Sequence, residues 1–262
     1  MKTVLSIAGS DCSGGAGIQA DIKTIEAHNA YGMSVITALT AQNTLGVQDV
    51  MTVDAVFVKK QLGAVFEDIF PDAVKIGMLP DRSVMKAVAE IIRKYSVRNI
   101  VLDPVLSSTS GTELSGKESR EYMKKELFPL CDLITPNIPE AEVLSGMAVS
   151  SEKEAEKAAE ALAAEYGCNV LIKGGHGIYS GTDVSADLLF TEDCMVWMKG
   201  KRIQNSNTHG TGCTLSSAIA SNLANGKDME TAVREAKEYL EKCIRAGLDL
   251  GKGRGPLIHN VR

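Results

Sequence analysis

No two cysteines in this chain stand close enough in sequence to clasp a metal. Six are present, at positions 12, 131, 168, 194, 213 and 243; none forms Cys-x-x-Cys, and the nearest two are 19 residues apart. That excludes the common zinc spacings and a small disulfide framework, and it predicts reduced, mostly buried thiols in a cytosolic protein. Histidine is equally scarce. There are four, none at ligand spacing, so His176 and His209 are read as local hydrogen-bonding residues. An excess of positive charge is missing too: 28 Lys and Arg face 33 Asp and Glu, for a net charge of −5. A broad nucleic-acid footprint is thereby excluded, although a locally built site for a small anion is not. No apolar run approaches the 18 residues of a membrane span, and the N-terminal run is too short for a signal segment. The expected setting is cytoplasmic, with no membrane partner. Finally, Gly-x-x-x-x-Gly-Lys-Ser/Thr does not occur, so the chain is not a P-loop protein.

What is present is an alternation of strand-like and helix-like segments. Apolar, β-branched runs lie at Thr3–Ala8, Met33–Ala41, Ala73–Met78, Asn99–Val105, Leu133–Thr135 and Val170–Ile172. A further pair, Ala186–Thr191 and Met195–Lys199, is separated by Glu192 and Asp193 as turn residues. Between the strands, apolar residues recur at helical spacing over Gly15–Ala30, Asp54–Ile69, Arg82–Tyr95, Lys117–Phe128, Thr211–Asn225 and Asp228–Ala246. Ser151 and Glu154 form a Ser-x-x-Glu capping box ahead of an Ala-rich helix to Tyr166, with Gly167 as its C-cap. Repeated βα units predict an α/β fold, a central mostly parallel sheet with helices on both faces. With no internal repeat and no low-complexity linker, residues 1–262 are expected to form a single domain. In such sheets ligands bind outside the carboxyl ends of the strands.

Two glycine-rich stretches sit at such ends. The first, Gly9–Gly17, formally fits Gly-x-Gly-x-x-Gly/Ala through Gly15, Gly17 and Ala20. A dinucleotide site also needs an acid at the end of the second strand, and no Asp or Glu occurs between Glu26 and Asp49. The dehydrogenase reading is therefore rejected. The second stretch, Asn207-Thr208-His209-Gly210-Thr211-Gly212-Cys213-Thr214, precedes an apolar helix. Backbone N–H groups at Gly210, Thr211 and Gly212 would converge where a helix dipole favours negative charge, making an anion hole; the same glycines would also serve an ordinary tight turn. Other strand ends carry Asp103, Asn137, Glu140 and Lys173. Taken singly, each fits a cap, a turn or a surface charge. Taken together they set one lysine, two or three oxygen ligands and an anion hole along one sheet edge. Phosphates with magnesium require that set.

Read in order, these segments resemble the hydroxymethylpyrimidine and phosphomethylpyrimidine kinases of thiamin synthesis, a branch of the ribokinase-like superfamily. The resemblance covers Ile7–Lys23, Tyr31–Val47, Lys75–Leu79, Val101–Val105, Leu133–Ala141, Leu171–His176, Asn207–Thr214 and the tail Gly253–Pro256 with His259. It implies a ribokinase-like fold with a small edge element. It also implies transfer of phosphate from ATP to a hydroxymethyl group and then to the resulting monophosphate. Asp21 and Gln42 would hydrogen-bond the aminopyrimidine, with Gly9 and Met78 beside the ring. Lys173 and Thr208 would meet ATP. Asn137 and Glu140, matching the superfamily's Asn-x-x-Glu, would organise Mg2+ with Asp103 close to the metal and phosphates. Relatives are often homodimers.

Cys213 stands where many ribokinase-like enzymes place an aspartate base. A thiol at a helix N-terminus has a lowered pKa and could accept the hydroxymethyl proton; the other reading is a small packing residue that shapes the site. Cys12 stands where relatives carry Pro or Ser. Residues Leu106–Thr112 read as a lid over the site. Related pyridoxal kinases carry a lid cysteine that pairs with the anion-hole cysteine, and this lid has none. Pyrimidine is therefore preferred as acceptor, with pyridoxal or pyridoxine as the alternative. A non-catalytic binding protein on the same fold would have lost the glycines, Lys173 or the Asn137–Glu140 pair, and all are present.

Overall fold

The computed structural model describes residues 1–106, 116–174, 178–179 and 181–261. In chain order the elements are β1 (Thr3–Asp11), α1 (Gly17–Ala27), β2 (Tyr31–Asn43), β3 (Gly46–Thr52), α2 (Ala55–Phe66), β4 (Ala73–Ile76) and α3 (Arg82–Tyr95). Then come β5 (Ile100–Leu102), α4 (Lys117–Tyr122), β6 (Leu133–Ile134), α5 (Ile138–Ser145), α6 (Glu152–Tyr166), β7 (Asn169–Lys173), β8 (Val184–Phe190), β9 (Met195–Lys201), α7 (Thr211–Ala224) and α8 (Met229–Ala246). Among the described residues the strands form one sheet in the order β3-β2-β1-β4-β5-β6-β7-β8-β9. From β2 to β7 all pairings are parallel; β3, β8 and β9 are added antiparallel at the two edges. The expected mostly parallel α/β sheet is thus what forms.

Side chains of a strand alternate between its faces, so each central strand feeds two cores. Leu5, Ile7, Val74, Ile76, Ile100 and Leu102 pack with Leu62, Val88 and Leu162 of α2, α3 and α6. Val4, Ala73, Val101 and Leu133 pack on the other face with Ile25, Ile219, Ala220 and Val233 of α1, α7 and α8. Helix starts are fixed locally. Asp54, Asp81 and Asp228 each accept N–H bonds from the first turn of their helices.

Four details depart from the sequence reading. The edge strand β3 was not foreseen among the strands, because Gly46–Thr52 carries little apolar periodicity and is mostly exposed. Helix α5 was not foreseen either; Pro139 in its first turn and a length of eight residues hide it. The helix expected over Lys117–Phe128 is regular only to Tyr122, then widens over Met123–Leu127 and tightens into a 3-10 turn at Phe128–Leu130. Pro129 lacks the N–H needed to continue it. The capping box at Ser151 closes on one side only: Ser151 accepts from the Glu154 N–H, whereas the Glu154 carboxylate reaches Ser150. The complete capping box is at Asn137 and Glu140.

Beneath the carboxyl end of the sheet lies an ion pair with no exposure at all. Lys75 Nζ of β4 donates to both oxygens of Asp21 on α1, at 2.9 and 2.8 Å. Ser6 of β1 and Ser217 of α7 donate to the same carboxylate, at 2.6 and 2.8 Å. Burial would lower the Lys75 ammonium, but Asp21 overrides it and holds the charge above its usual range. Residues 252–259 complete the fold by crossing the same end. Lys252 and Gly253 N–H donate to Thr44 Oγ1, both at 3.1 Å, and Arg254 N–H to Thr44 O at 3.0 Å. Gly255 N–H then donates to Asn207 Oδ1 at 3.0 Å, the His209 N–H donates to Gly255 O at 3.2 Å, and His259 Nε2 lies 3.0 Å from Thr214 Oγ1.

A buried charge stripped of its partner is costly, whereas removing both is often neutral. Lys75→Met is expected to lower unfolding stability by about 3–5 kcal/mol in urea titrations. The double variant Lys75→Met/Asp21→Asn should regain most of that loss.

Candidate active site

The carboxyl ends of β1, β2, β4, β5, β6 and β7 and the start of α7 open onto one cavity of ≈ 580 Å³. Its lining contains Gly9, Gln42, Met78, Asp103, Asn137, Glu140, Lys173, Thr208, Gly210, Thr211, Gly212 and Cys213. The residues expected to bind or catalyse therefore meet at this one place, apart from Asp21. Asp21 does not reach the cavity: it is fully buried beneath it, and its carboxylate is saturated by Lys75, Ser6 and Ser217. Asp21, expected to hydrogen-bond the aminopyrimidine, is held by protein donors beneath the cavity instead of lining it. His176 and the part of the lid beyond Leu106 lie outside the described residues.

Gly210 caps α7 with φ +86°, a backbone conformation that favours glycine. A Cβ there would also overlap the carbonyl oxygen of Gly15, so the two glycine-rich loops touch backbone to backbone. Gly212, in the first turn of α7, faces the cavity. A Cβ on it would stand 2.9 Å from Asp103 Oδ2 and 3.5 Å from Lys173 Nζ. The first N–H groups of a helix have no partner inside it. Here they open toward a lysine and an aspartate.

Lys173 Nζ donates to Asp103 Oδ1 at 2.6 Å, and Thr135 Oγ1 donates to the same oxygen at 3.2 Å. Burial would lower the Lys173 ammonium, yet Asp103 and then Glu140 keep it above its usual value. Glu140 is buried; burial, reinforced by Asp103, pushes its carboxyl up to about 7 against the pull of Lys173. Its oxygens accept from the Asn137 N–H at 2.9 Å and the Leu106 N–H at 3.3 Å, while Asn137 Oδ1 accepts from the Glu140 N–H at 2.9 Å. Asn137 and Glu140 thus first serve the start of α5.

The Cys213 thiol departs from the sequence reading. Burial, the largest influence, pushes it up, and Lys75 only partly offsets this. The lowering expected from a helix N-terminus is outweighed. Lys75 itself lines the floor of the cavity and was not singled out, because a lysine inside an apolar strand gives no local sign of where its charge goes.

His209 also proves more than a turn residue. Its Nε2 lies 2.9 Å from Asp11 Oδ2 in a buried pair. Asp11 also accepts from the N–H groups of Ser13, Gly15 and Ala16, holding the first glycine-rich loop in shape. Burial would raise the Asp11 carboxyl, but the bonds from His209 and Ser13 outweigh it and hold it well below the usual carboxylate range. Cys12 is exposed and does not line the cavity; its thiol bridges the backbone of Gln42 instead. At the far side, Leu240, Ile244, Asn205 and Lys201 give the cavity a flatter, partly apolar end, where Lys237 pairs with Asp187.

The phosphomethylpyrimidine kinase family model matches residues 11–258. The thiamine biosynthesis bifunctional protein of Geobacter sulfurreducens is 46% identical over 98% of this chain, which spans about half (52%) of that relative. The hydroxymethylpyrimidine/phosphomethylpyrimidine kinase of Rhizobium meliloti is 46% identical over 97% of this chain and 96% of its own length. Among solved structures, phosphomethylpyrimidine kinase from Clostridium difficile is 42% identical with a TM-score of 0.83, covering 93% of this chain and 100% of that one. An ADP complex of Bacillus subtilis pyridoxal kinase is 34% identical with a TM-score of 0.91, covering 100% and 98%. The cavity, the glycine-lined helix start that opens onto it and these matches together identify the chain as a member of the phosphomethylpyrimidine kinase family.

Proposed function

We propose that this chain is an ATP-dependent kinase of thiamin biosynthesis, phosphorylating hydroxymethylpyrimidine and then its monophosphate. The observation that carries the reading is the convergence at the start of α7: Gly212, with no side chain, lies directly against Asp103, which Lys173 pairs at 2.6 Å, so a helix N-terminus, a lysine and a carboxylate meet at one end of the cavity. Gln42, Gly9 and Met78 form the wall across from them and take the acceptor ring. Thr208 and Lys173 meet the ATP phosphates, and Gly210–Gly212 receive the transferred group. Phosphoryl transfer is largely a matter of positioning and charge neutralisation, which these groups provide.

Mg2+ fits this donor set. Magnesium keeps several waters and takes few protein ligands. Among the described residues no three acidic, His or Cys side chains converge on one point, which suits an ion held mainly by phosphate oxygens and water. Asp103 has one oxygen aimed at the cavity, and Glu140 with Asn137 would hold ion-bound waters. When bound, the ion would neutralise phosphate charge. Cys213 is placed to take the hydroxymethyl proton once ionised.

The 262 residues are proposed to act as one kinase domain, in the cytoplasm. A homodimer is supported by the exposed apolar side chains of Leu39, Leu45 and Met51 around the β2–β3 edge. A B6 vitamer is the second acceptor, favoured by the full-chain match to a pyridoxal kinase.

ADP release with Mg-ATP tests the acceptor directly. Both pyrimidine forms should be turned over best among hydroxymethylpyrimidine, its monophosphate, pyridoxal and pyridoxine. A B6 vitamer ahead by more than about tenfold in kcat/KM would transfer the assignment. No turnover of any of them would support a binding role only. Gly212→Ala should cut kcat by about 10²-fold or more, since the added methyl would stand 2.9 Å from Asp103 Oδ2 and push the Asp103–Lys173 pair out of place. Cys213 is tested by pH. A base raised by burial works only as thiolate, so kcat should climb with pH beyond the ordinary thiol value of about 8.5. Cys213→Ser should remove that limb and cost about 10²–10⁴-fold; a loss below about tenfold with an unchanged profile would assign it a shaping role.

A further inference from the structure

Gln42 reaches the cavity as a carboxamide, whose two ends have the same shape but opposite hydrogen-bonding character. Its neighbours decide which end lies where. As placed, its Nε2 is 3.3 Å from His209 Nε2, and that ring nitrogen is also 2.9 Å from Asp11 Oδ2. Asp11 already accepts from Ser13, Gly15 and Ala16, so it is an ionised, acceptor-only group. His209 Nε2 must therefore carry the proton. An amide nitrogen facing it would set donor against donor, so the end facing His209 is oxygen.

The other side gives the same answer independently. As placed, the amide oxygen lies 3.1 Å from Thr40 Oγ1, so it competes with Ser10 O, at 3.0 Å, for the one hydroxyl proton of Thr40; turning the amide over lets its NH2 donate to Thr40 and leaves that proton for Ser10 O. Only a donor can face the remaining lone pairs of Thr40, so this end of the amide is NH2. With oxygen toward His209 and nitrogen toward Thr40, no donor opposes the Nε2–H that serves Asp11 and the Thr40 proton is left for Ser10; the reverse sets donor against donor at His209 and makes Gln42 and Ser10 compete for one proton. The Gln42 backbone is held as well, with Cys12 Sγ donating to its carbonyl and accepting from its N–H, at 3.2 and 3.3 Å.

We propose that Asp11, His209 and Thr40 are positioning residues that lock the Gln42 carboxamide with oxygen toward His209 and nitrogen toward Thr40, and so dictate which way round an acceptor ring is read. In this orientation Gln42 keeps one lone pair and one N–H for the cavity, in a fixed order. The complementary ligand edge carries an N–H donor beside an acceptor ring nitrogen. Bound the other way round, the ring would oppose like to like. Because His209 directly precedes Gly210, the same pair that orients the amide also anchors the start of α7.

The proposal rests on the reading that Gln42 meets the acceptor, and its test has an arm free of that reading. In the 15N-labelled full-length protein without ligand, the Gln42 side-chain amide signals are those lost in Gln42→Glu. They should show stronger NOEs to the Thr40 methyl than to the His209 ring. The reverse pattern would overturn the assignment whatever the substrate. In steady-state kinetics, Thr40→Val should raise KM for hydroxymethylpyrimidine about tenfold with kcat and the ATP KM little changed, and Thr40→Ser should restore it. A folded Thr40→Val enzyme with an unchanged acceptor KM, or with equal losses on both substrates, would refute the positioning role. Turnover of none of the acceptors would strike at the proposed function and leave the NMR result standing.

Discussion

A carboxylate sealed from water must find its donors within the protein, and Asp21 finds them on three separate elements. Lys75 arrives from β4, Ser6 from β1 and Ser217 from α7. A buried ion pair is poor evidence of stability for its own sake, since an apolar pair of like volume often does as well. What this one supplies is register. It admits only the arrangement in which α1 and α7 lie against β1 and β4 at one height, and that height sets where the first turn of α7 opens. Lys75 also places positive charge on the cavity floor, where it partly offsets the upward push of burial on the Cys213 thiol.

The glycine-rich loops are joined by contacts of a second kind. Gly210 and Gly15 meet backbone to backbone, and Asp11 and His209 bridge the same gap with side chains. Three glycines at this junction are therefore matters of space. Any side chain at Gly210 would strike a carbonyl, any at Gly15 would strike the His209 ring, and one at Gly212 would press on the Asp103 carboxylate. Polar groups elsewhere around the cavity are held by partners before any ligand arrives. That is the preorganisation on which electrostatic catalysis depends.

Much of this was legible in the sequence. The alternating pattern gave the parallel sheet, and the residues following the strands gave the cavity wall, because position along the chain sets position at a strand end. What escaped was of two sorts. Short or weakly patterned elements, β3 and α5, carry too few apolar residues to declare a period. Charge partners distant in sequence are invisible locally: Asp21 and Lys75 are separated by 54 positions, and Asp11 and His209 by 198. Asp21 was accordingly read as a ligand-binding residue by resemblance, whereas its surroundings consume it. Cys213 was misjudged for a related reason. A helix N-terminus can be read from sequence, but the burial that opposes it cannot.

The path of residues 252–259 has a consequence for how the protein is made. This segment pins the β2–β3 turn at Thr44 and grips Asn207, His209 and Thr214 at the start of α7. On a ribosome the sheet strands and most of their crossover helices emerge well before it and can begin to pack. The cavity, however, joins groups from β1 to segments more than two hundred residues later. The growing chain therefore acquires most of its core before it acquires a finished binding site. The site is therefore assembled after most of the sheet has emerged, so a nascent chain is folded in bulk while still unable to hold its ligands in place.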